Sequence, residues 1–262
     1  MSTLCSTRLA LALAAALALG CNSQDVTQPT ASAVAGLDPA ATAAPAADAS
    51  VAAAGLPDFD PHDFVRSVDN PLFPLPLGRR LVYHGFSDGE PQLVITEVTR
   101  DRKTILGVEV VTVLDRVFSR GELKEKTFDW YAQDEDGNVW YFGEDTKELE
   151  NGKVVSTAGS FEAGKNGARA GVIMLAHPKV GQVTPQEFAP GVAEDKARPV
   201  NLDVTVTVPY GTFHHCMKTE EFTPLEPDVL ENKYYCPGIG ITRERDVQGG
   251  TGRTALARIG QR

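Results

Sequence analysis

Short alternating segments separated by Gly and Pro constrain the fold of this chain more than any other feature. The clearest segment is Leu202 to Val208, in which apolar and polar residues alternate strictly until Pro209 interrupts the pattern. A period of two residues places the apolar side chains on one face of a strand. No apolar pattern of period 3.6 exceeds two turns. The chain is therefore predicted to be mainly β.

The neighbouring segments predict how the strands are arranged. Leu93 to Val98 and Val108 to Phe118 are rich in Val, Ile and Thr but apolar on both faces, as in strands that are covered on both sides. The least regular stretch runs from Gly159 to Pro199. We expect a single antiparallel meander curled into a half-barrel or a sandwich.

Two dipeptides predict hairpins with type I′ turns, because both central residues tolerate a positive φ. Asn151-Gly152 places Leu149 opposite Val154. Asp136-Gly137 predicts three pairs in its own hairpin, namely Tyr131 with Phe142, Ala132 with Tyr141 and Gln133 with Trp140.

The N-terminus is typical of an exported protein. Arg8 is followed by an unbroken apolar run from Leu9 to Gly20, which is shorter than the ~20 residues that span a bilayer. Ala18-Leu19-Gly20-Cys21 resembles the lipobox of bacterial lipoproteins, although Leu17 stands four positions before the cysteine where that family usually has Leu at three. The resemblance implies a signal peptide over residues 1–20, lipidation of Cys21 and a membrane partner through that anchor. With Asn22 next, it implies an outer-membrane or cell-surface location in the envelope.

The segment after Cys21 is predicted to be a disordered tether. Residues 21–55 consist largely of Ala, Pro, Ser, Thr and Asp, and cannot bury enough apolar surface to offset the entropy of ordering them. Residues 56–262 are then long enough for one β-rich domain with a sizeable core.

Charge and cysteine content narrow the partners and the compartment. The full chain has a formal charge of −10, and the strongly acidic balance disfavours nucleic acid as a partner. Once Cys5 leaves with the signal peptide and Cys21 carries lipid, Cys216 and Cys236 remain. Two cysteines in an oxidising compartment predict one disulfide.

The disulfide also predicts a hairpin register. Positions 216 and 236 are symmetric about Glu226, which lies in the proline-containing turn Thr223–Asp228. An antiparallel hairpin centred there sets Cys216 opposite Cys236, Lys218 opposite Tyr234, and Glu221 opposite Glu231. The last pair places like charges together, which counts against this register unless that end is solvated.

Several motifs resemble a family of uncharacterised bacterial secreted proteins and lipoproteins. The similarity covers residues 63–248. Its motifs are DNPLFPLPLG from Asp69, FDWYAQD from Phe128, GNVWYFGE from Gly137, TPLEP from Thr223 and KYYCPGIG from Lys233. The resemblance implies export, but it brings no activity, ligand or catalytic residue with it.

Three side-chain groups are candidate sites. The first is acidic: Asp129, Asp134, Glu135, Asp136, Glu144 and Asp145. Around the Asp136-Gly137 turn these acids could form a calcium loop, or two of them could act as the acid and base of a hydrolase. Turn geometry and solubility explain the same residues without a ligand.

The second candidate is aromatic. The predicted register places Tyr131, Trp140 and Phe142 on one face, which would form a platform for stacking on a ligand if that face were open. The alternative is that both faces are covered and the rings belong to the core.

The third candidate is His214-His215-Cys216 with Cys236, whose nitrogen and sulfur ligands suit copper or zinc. Adjacent strand residues point to opposite faces, so His215 cannot join His214 and Cys216. We favour the disulfide and expect no metal.

No recognisable catalytic motif and no cofactor fingerprint is present. The sequence therefore favours a non-enzymatic envelope lipoprotein that binds a ligand or another envelope component. A secreted hydrolase with paired carboxylates is the alternative.

Overall fold

The structure is a computed structural model that describes residues 59–261. The predicted signal peptide, Cys21 and the tether lie outside the described residues. Within residues 59–261 there is a 3-10 turn at Pro61–Asp63 and no α-helix. The strands are β1 Phe64–Val65, β2 Arg79–Ser87, β3 Glu90–Ile105, β4 Val108–Ser119, β5 Glu122–Asp134, β6 Val139–Glu150, β7 Lys153–Ser156, β8 Phe161–Glu162, β9 Arg169–Met174, β10 Thr184–Pro185, β11 Glu187–Phe188, β12 Lys196–Val208, β13 Gly211–Phe222, β14 Leu230–Cys236, β15 Gly240–Gln248 and β16 Arg253–Gln261.

Two antiparallel meanders form the sheet. Strands β2 to β6 pair in sequence order, and so do β12 to β16. The last strand, β16, pairs with β2 and joins the two meanders into one continuous sheet. The sheet curls into a nearly closed half-barrel, which confirms the predicted mainly β meander and selects the half-barrel over the sandwich.

A five-residue segment connects the two ends of the sheet. Thr184 in β10 pairs with Ala197 in β12, while Glu187 in β11 pairs with Ala170 in β9. The backbones approach so closely that a Cβ atom added to Gly171 would lie 2.2 Å from the carbonyl oxygen of Gln186. Glycine is therefore required at that position.

The register at the tip of the β5–β6 hairpin differs from the prediction. Only Gly137 has a positive φ (90°) in this turn, so it is not a type I′ turn. As a result Tyr131 pairs with Tyr141, and Ala132 pairs with Trp140. The predicted pairing of Tyr131 with Phe142 is wrong by one residue.

A β-bulge next to this tip changes the register again. The shift falls between Trp130 and Tyr131, and Trp130 pairs with Gly143. Gly143 has a φ of 121°, and a Cβ atom there would lie 2.2 Å from the carbonyl oxygen of Phe161 in β8. The extra residue on β6 therefore leaves Trp130 opposite Gly143 and not opposite Phe142.

The other two predicted hairpins are confirmed. Asn151 and Gly152 both have a positive φ, and Leu149 pairs with Val154. In the β13–β14 hairpin, Lys218 pairs with Tyr234 and Glu221 with Glu231, as the symmetry of the two cysteines predicts.

Buried apolar side chains cover both faces of part of the sheet. The larger cluster fills the concave side and draws on strands from both meanders, including Phe73, Tyr83, Val113, Tyr131, Tyr141, Tyr235 and Leu256. The smaller cluster lies on the convex side over β3 to β6 and β9, and includes Ile105, Val110, Trp130, Trp140, Phe142 and Val172. The pattern of Val108 to Phe118, which is apolar on both faces, predicts a strand covered on both sides, and its valines are divided between the two clusters.

Candidate functional site

The predicted aromatic platform is buried and divided between the two faces. Tyr131, Trp140 and Phe142 are 0%, 2% and 0% exposed. Tyr131 stacks on Tyr141 on the concave side, whereas Trp140 and Phe142 pack on the convex side against Phe64. The prediction that these three rings share one face is wrong, because the register at the hairpin tip places Tyr131 opposite Tyr141 and not opposite Phe142. They belong to the core.

The acids at the hairpin tip have structural roles. The carboxylate of Asp134 accepts hydrogen bonds from the Asn138 amide (2.7 Å) and from the Trp140 indole (2.8 Å). Glu135 and Asp136 are exposed to solvent. Asp145 is paired with Lys147 at 2.6 Å. These acids do not converge around the turn as the ligands of a calcium loop would.

Cys216 and Cys236 form a disulfide, with their Cα atoms 4.2 Å apart. Neither cysteine therefore offers a thiolate to a metal. His215 is exposed and contacts Asp203 at 2.9 Å, and His214 contacts the Thr205 hydroxyl at 3.1 Å. Among residues 59–261, no group of three or more His, Cys, Asp or Glu side chains is arranged to hold a metal ion.

Cys21 lies outside the described residues, so its lipidation stays a prediction. Over residues 59–261, no helix is long and apolar enough to cross a membrane.

The concave side of the sheet brings two of the predicted acids together. Asp129 and Glu144 are neighbours on β5 and β6 and are 1% and 2% exposed. The Tyr141 hydroxyl lies 2.7 Å from Asp129 Oδ1 and 2.9 Å from Glu144 Oε2. Since these distances add to 5.6 Å, the two carboxyl oxygens are no farther apart than that.

This geometry requires a proton on the pair. The Tyr141 hydroxyl has one hydrogen and donates to one carboxyl group, so the second short contact needs a protonated carboxyl that donates to Tyr141. Burial, reinforced by Asp115, raises the pKa of Asp129 to about 8. Burial and the neighbouring Asp129 also raise the pKa of Glu144 well above its ordinary value. The pair holds at least one proton at neutral pH.

Glu187 on the closing segment adds a third carboxyl group to this region. Glu187 is 2% exposed, and neither of its carboxyl oxygens has a hydrogen-bond partner among the described residues. Burial, then the charges of Asp195 and Glu144, raise the pKa of Glu187 well above its ordinary value. A neutral acid is the form that this environment tolerates.

Lys233 is the only lysine or arginine among the buried residues of the described chain. Its ammonium group lies 2.9 Å from Glu221 Oε2 and 3.6 Å from Glu231 Oε2. Tyr235 donates a further hydrogen bond of 2.7 Å to Glu221. Burial acts to lower the pKa of Lys233, but Glu221 and Glu231 raise it well above its ordinary value. Lys233 thus neutralises the like-charge pair that the sequence placed opposite each other.

A small cavity opens into the concave side between β2, β3 and β15. It encloses about 50 Å³ and is lined mainly by apolar residues, with Asp115 and Glu244 as its acids. Burial, together with Glu244, raises the pKa of Asp115 to about 7, against hydrogen bonding from Thr96. A drug-sized ligand needs several hundred Å³, so this cavity has room only for a few waters.

The concave acids therefore form a closed network. Neither Asp129 nor Glu144 lines the cavity, and both are too buried to meet a polymeric substrate. The sequence identified Asp129 and Glu144 as candidates but missed Lys233, Glu187 and Glu244. The signal that could have found Lys233 is a charged residue two positions from a buried aromatic residue in an alternating strand, because Lys233 and Tyr235 lie on the same face of β14.

No family model and no curated protein matches the chain. Among solved structures, one from Bacteroides fragilis is described as an exported protein with a YmcC-like fold. It is 16% identical over 72% of this chain and 98% of its own, with a TM-score of 0.43. Another, described as a lipoprotein from Parabacteroides distasonis, is 14% identical over 73% of this chain and 99% of its own, with a TM-score of 0.41. These likenesses define no family. At these sequence identities and TM-scores the similarities support no conclusion about function.

Proposed function

We propose that this protein is an exported, lipid-anchored module of the bacterial cell envelope, and that it binds its partner without catalysis. The apolar run before Cys21 and the tether after it support export and anchoring. The resemblance of its motifs to uncharacterised secreted proteins and lipoproteins supports the same assignment.

One observation supports a non-enzymatic role above the others. Asp129 and Glu144 are close enough for paired-carboxylate chemistry, but they are almost fully buried and do not line the cavity. The Tyr141 hydroxyl occupies the space between them, where a reacting bond would have to lie. Binding must therefore use the outer surface of the domain.

Anchoring is tested by fractionating the host after replacement of Cys21→Ser. The wild-type protein is expected in the membrane fraction with a lipid on Cys21, and the variant is expected to be exported but soluble. A wild-type protein that is already soluble with a free Cys21 thiol contradicts the anchor.

The alternative, a hydrolase, is supported by the proximity of Asp129 and Glu144. It is tested by measuring release of reducing ends from peptidoglycan and from neutral and anionic glycans. We expect no release above the Glu144→Gln variant, provided that both proteins show the same folded circular dichroism spectrum. Release by the wild type that is lost in Glu144→Gln would establish the hydrolase instead.

A further inference from the structure

Arginine and aromatic side chains form two parallel rows across the convex face of the sheet. In one row Arg245 of β15 lies opposite Arg253 of β16, which lies opposite Phe86 of β2. In the other, Arg243 of β15 lies opposite Ala255, followed by His84, Leu93 and Phe118 on β2, β3 and β4.

These rows line a groove of about 1150 Å³ on the outside of the half-barrel. It spans the five strands from β15 to β4, and at ~4.8 Å per strand the groove is roughly 20 Å long. The residues of the two rows point away from the buried network, because Thr242, Glu244 and Thr254 occupy the alternate, inward positions of the same strands. Glu244 and Thr254 still border the groove from these positions.

Of the arginines that line the groove, Arg120 is paired with Glu90, whereas the three in the two rows have no acidic partner. Among the described residues, none of Arg243, Arg245 and Arg253 forms an ion pair. Arg245 and Arg253 are exposed and directly opposite each other, an arrangement of like charges that destabilises a sheet. A concentration of unpaired positive charge in a chain of net charge −10 fits an anionic ligand.

Aromatic rings orient two of these guanidinium groups. The Arg253 guanidinium lies 5.2 Å from the Phe86 ring centroid, and that of Arg243 lies 5.6 Å from the Tyr234 ring centroid. A guanidinium stacked on a ring keeps its N–H edges available for hydrogen bonds to a carboxylate. Arg243 already uses one of its N–H groups, because its Nη2 donates to the backbone carbonyl of Thr207. The groove beyond them, at Leu93 and Phe118, is apolar.

We propose that this groove binds a linear glycan of uronic acids, a deduction that rests on the proposed binding function. Each unit of such a glycan carries a carboxylate for an arginine and an apolar sugar face for Leu93 or Phe118. The length of the groove fits several units. An anionic bilayer fits less well, since it extends beyond the groove and meets the rest of a chain whose net charge is −10.

The test uses the mature chain, residues 21–262 with Cys21→Ser, and a fluorescent octamer of galacturonic acid read by anisotropy. The wild-type groove is expected to bind the octamer and not neutral maltooctaose. The double variant Arg245→Gln/Arg253→Gln is expected to bind at least about tenfold more weakly, because each lost guanidinium removes a charge-assisted contact. The control is Arg258→Gln, which removes one of the chain's positive charges from β16 at an exposed residue that does not line the groove.

Three results would overturn the proposal. The first is absence of octamer binding by a folded wild-type chain. The second is equal binding by the double variant and the control. The third is tighter binding, dependent on the same arginines, to phosphatidylglycerol vesicles or to a single-stranded oligonucleotide. None of these results bears on membrane fractionation or on reducing-end release, so failure of the glycan assignment is distinguishable from failure of the proposed function.

Discussion

Replacing Asp129→Asn should make the domain more stable at pH 8 and not at pH 4. The folded state keeps the Asp129 proton up to a pKa of about 8, whereas an unfolded chain loses it near 3.8. The stabilisation from this proton is fully present below pH 3.8 and is lost as the pH rises to about 8. Each tenfold change in proton affinity corresponds to about 1.4 kcal/mol, so the loss is on the order of 5 kcal/mol.

Asparagine has the shape of the protonated acid and cannot ionise, so the variant avoids this loss. Its amide nitrogen replaces Asp129 Oδ2, which has no hydrogen-bond partner among the described residues, and an unpartnered buried group costs about 1–3 kcal/mol. The variant should therefore be less stable than the wild type at pH 4 and more stable at pH 8, by about 2–4 kcal/mol. In a domain of this size, 1 kcal/mol shifts the melting temperature by about 2–4 °C.

The assay is thermal unfolding of both proteins from pH 4 to pH 8, followed by circular dichroism. Asp145→Asn is the control, because it makes the same change on the same hairpin at a half-exposed position. When melting temperature is plotted against pH, the curve of Asp129→Asn is expected to cross that of the wild type between pH 4 and pH 8. If Asp129→Asn loses the same stability at every pH, then the pKa of Asp129 is not raised in the folded protein and this prediction is wrong.

Three further predictions concern stability. Lys233→Met should destabilise the domain by about 3–5 kcal/mol in urea unfolding, because Glu221 and Glu231 lose their buried counter-charge; a loss under about 1 kcal/mol would contradict this. Replacing both Cys216 and Cys236 by Ser should cost about 3 kcal/mol for a loop of 20 residues, and the denatured, unreduced wild-type domain should show neither thiol free. A chain that begins at Leu56 should melt at the same temperature as the mature protein, whereas a drop of several degrees would mean that residues 22–55 dock on the domain.

The sequence predicts the strands and part of their pairing for physical reasons that apply locally. A type I′ turn fixes its register through two residues, so Asn151-Gly152 placed Leu149 correctly opposite Val154. The two cysteines constrain the β13–β14 hairpin from both sides of its turn, and this register was also correct.

The β5–β6 tip could not be predicted from the same kind of dipeptide. Its register depends on a wider turn at Gly137 and on a bulge at Gly143, and the bulge is set by the approach of Phe161 from β8. That contact is between segments that the local pattern does not relate. Since a shift of one residue moves a side chain to the other face, this error divided the predicted aromatic platform.

The buried acids were partly missed because an inward acid and a solvated acid look alike in an alternating strand. Glu125, Thr127 and Asp129 occupy every second position of β5, as the polar face of an exposed strand would. Only the closed sheet reveals that this face is interior, and that Lys233 from the other meander lies within its field. Polarity alone does not distinguish the two faces when both carry charge.

The segment that connects the two ends of the sheet affects how copies of this domain behave when they are crowded on a membrane. A lipid anchor would hold many copies of this domain side by side on one membrane, where unpaired strand edges could join neighbouring copies into a continuous sheet. The segment from Thr184 to Phe188 covers part of the outer edge of both β12 and β9. The rest of β12 is irregular, with register shifts between Pro199 and Val206 and an exposed Asp203. The part of the β12 edge that stays open is therefore irregular, which disfavours its extension by another chain.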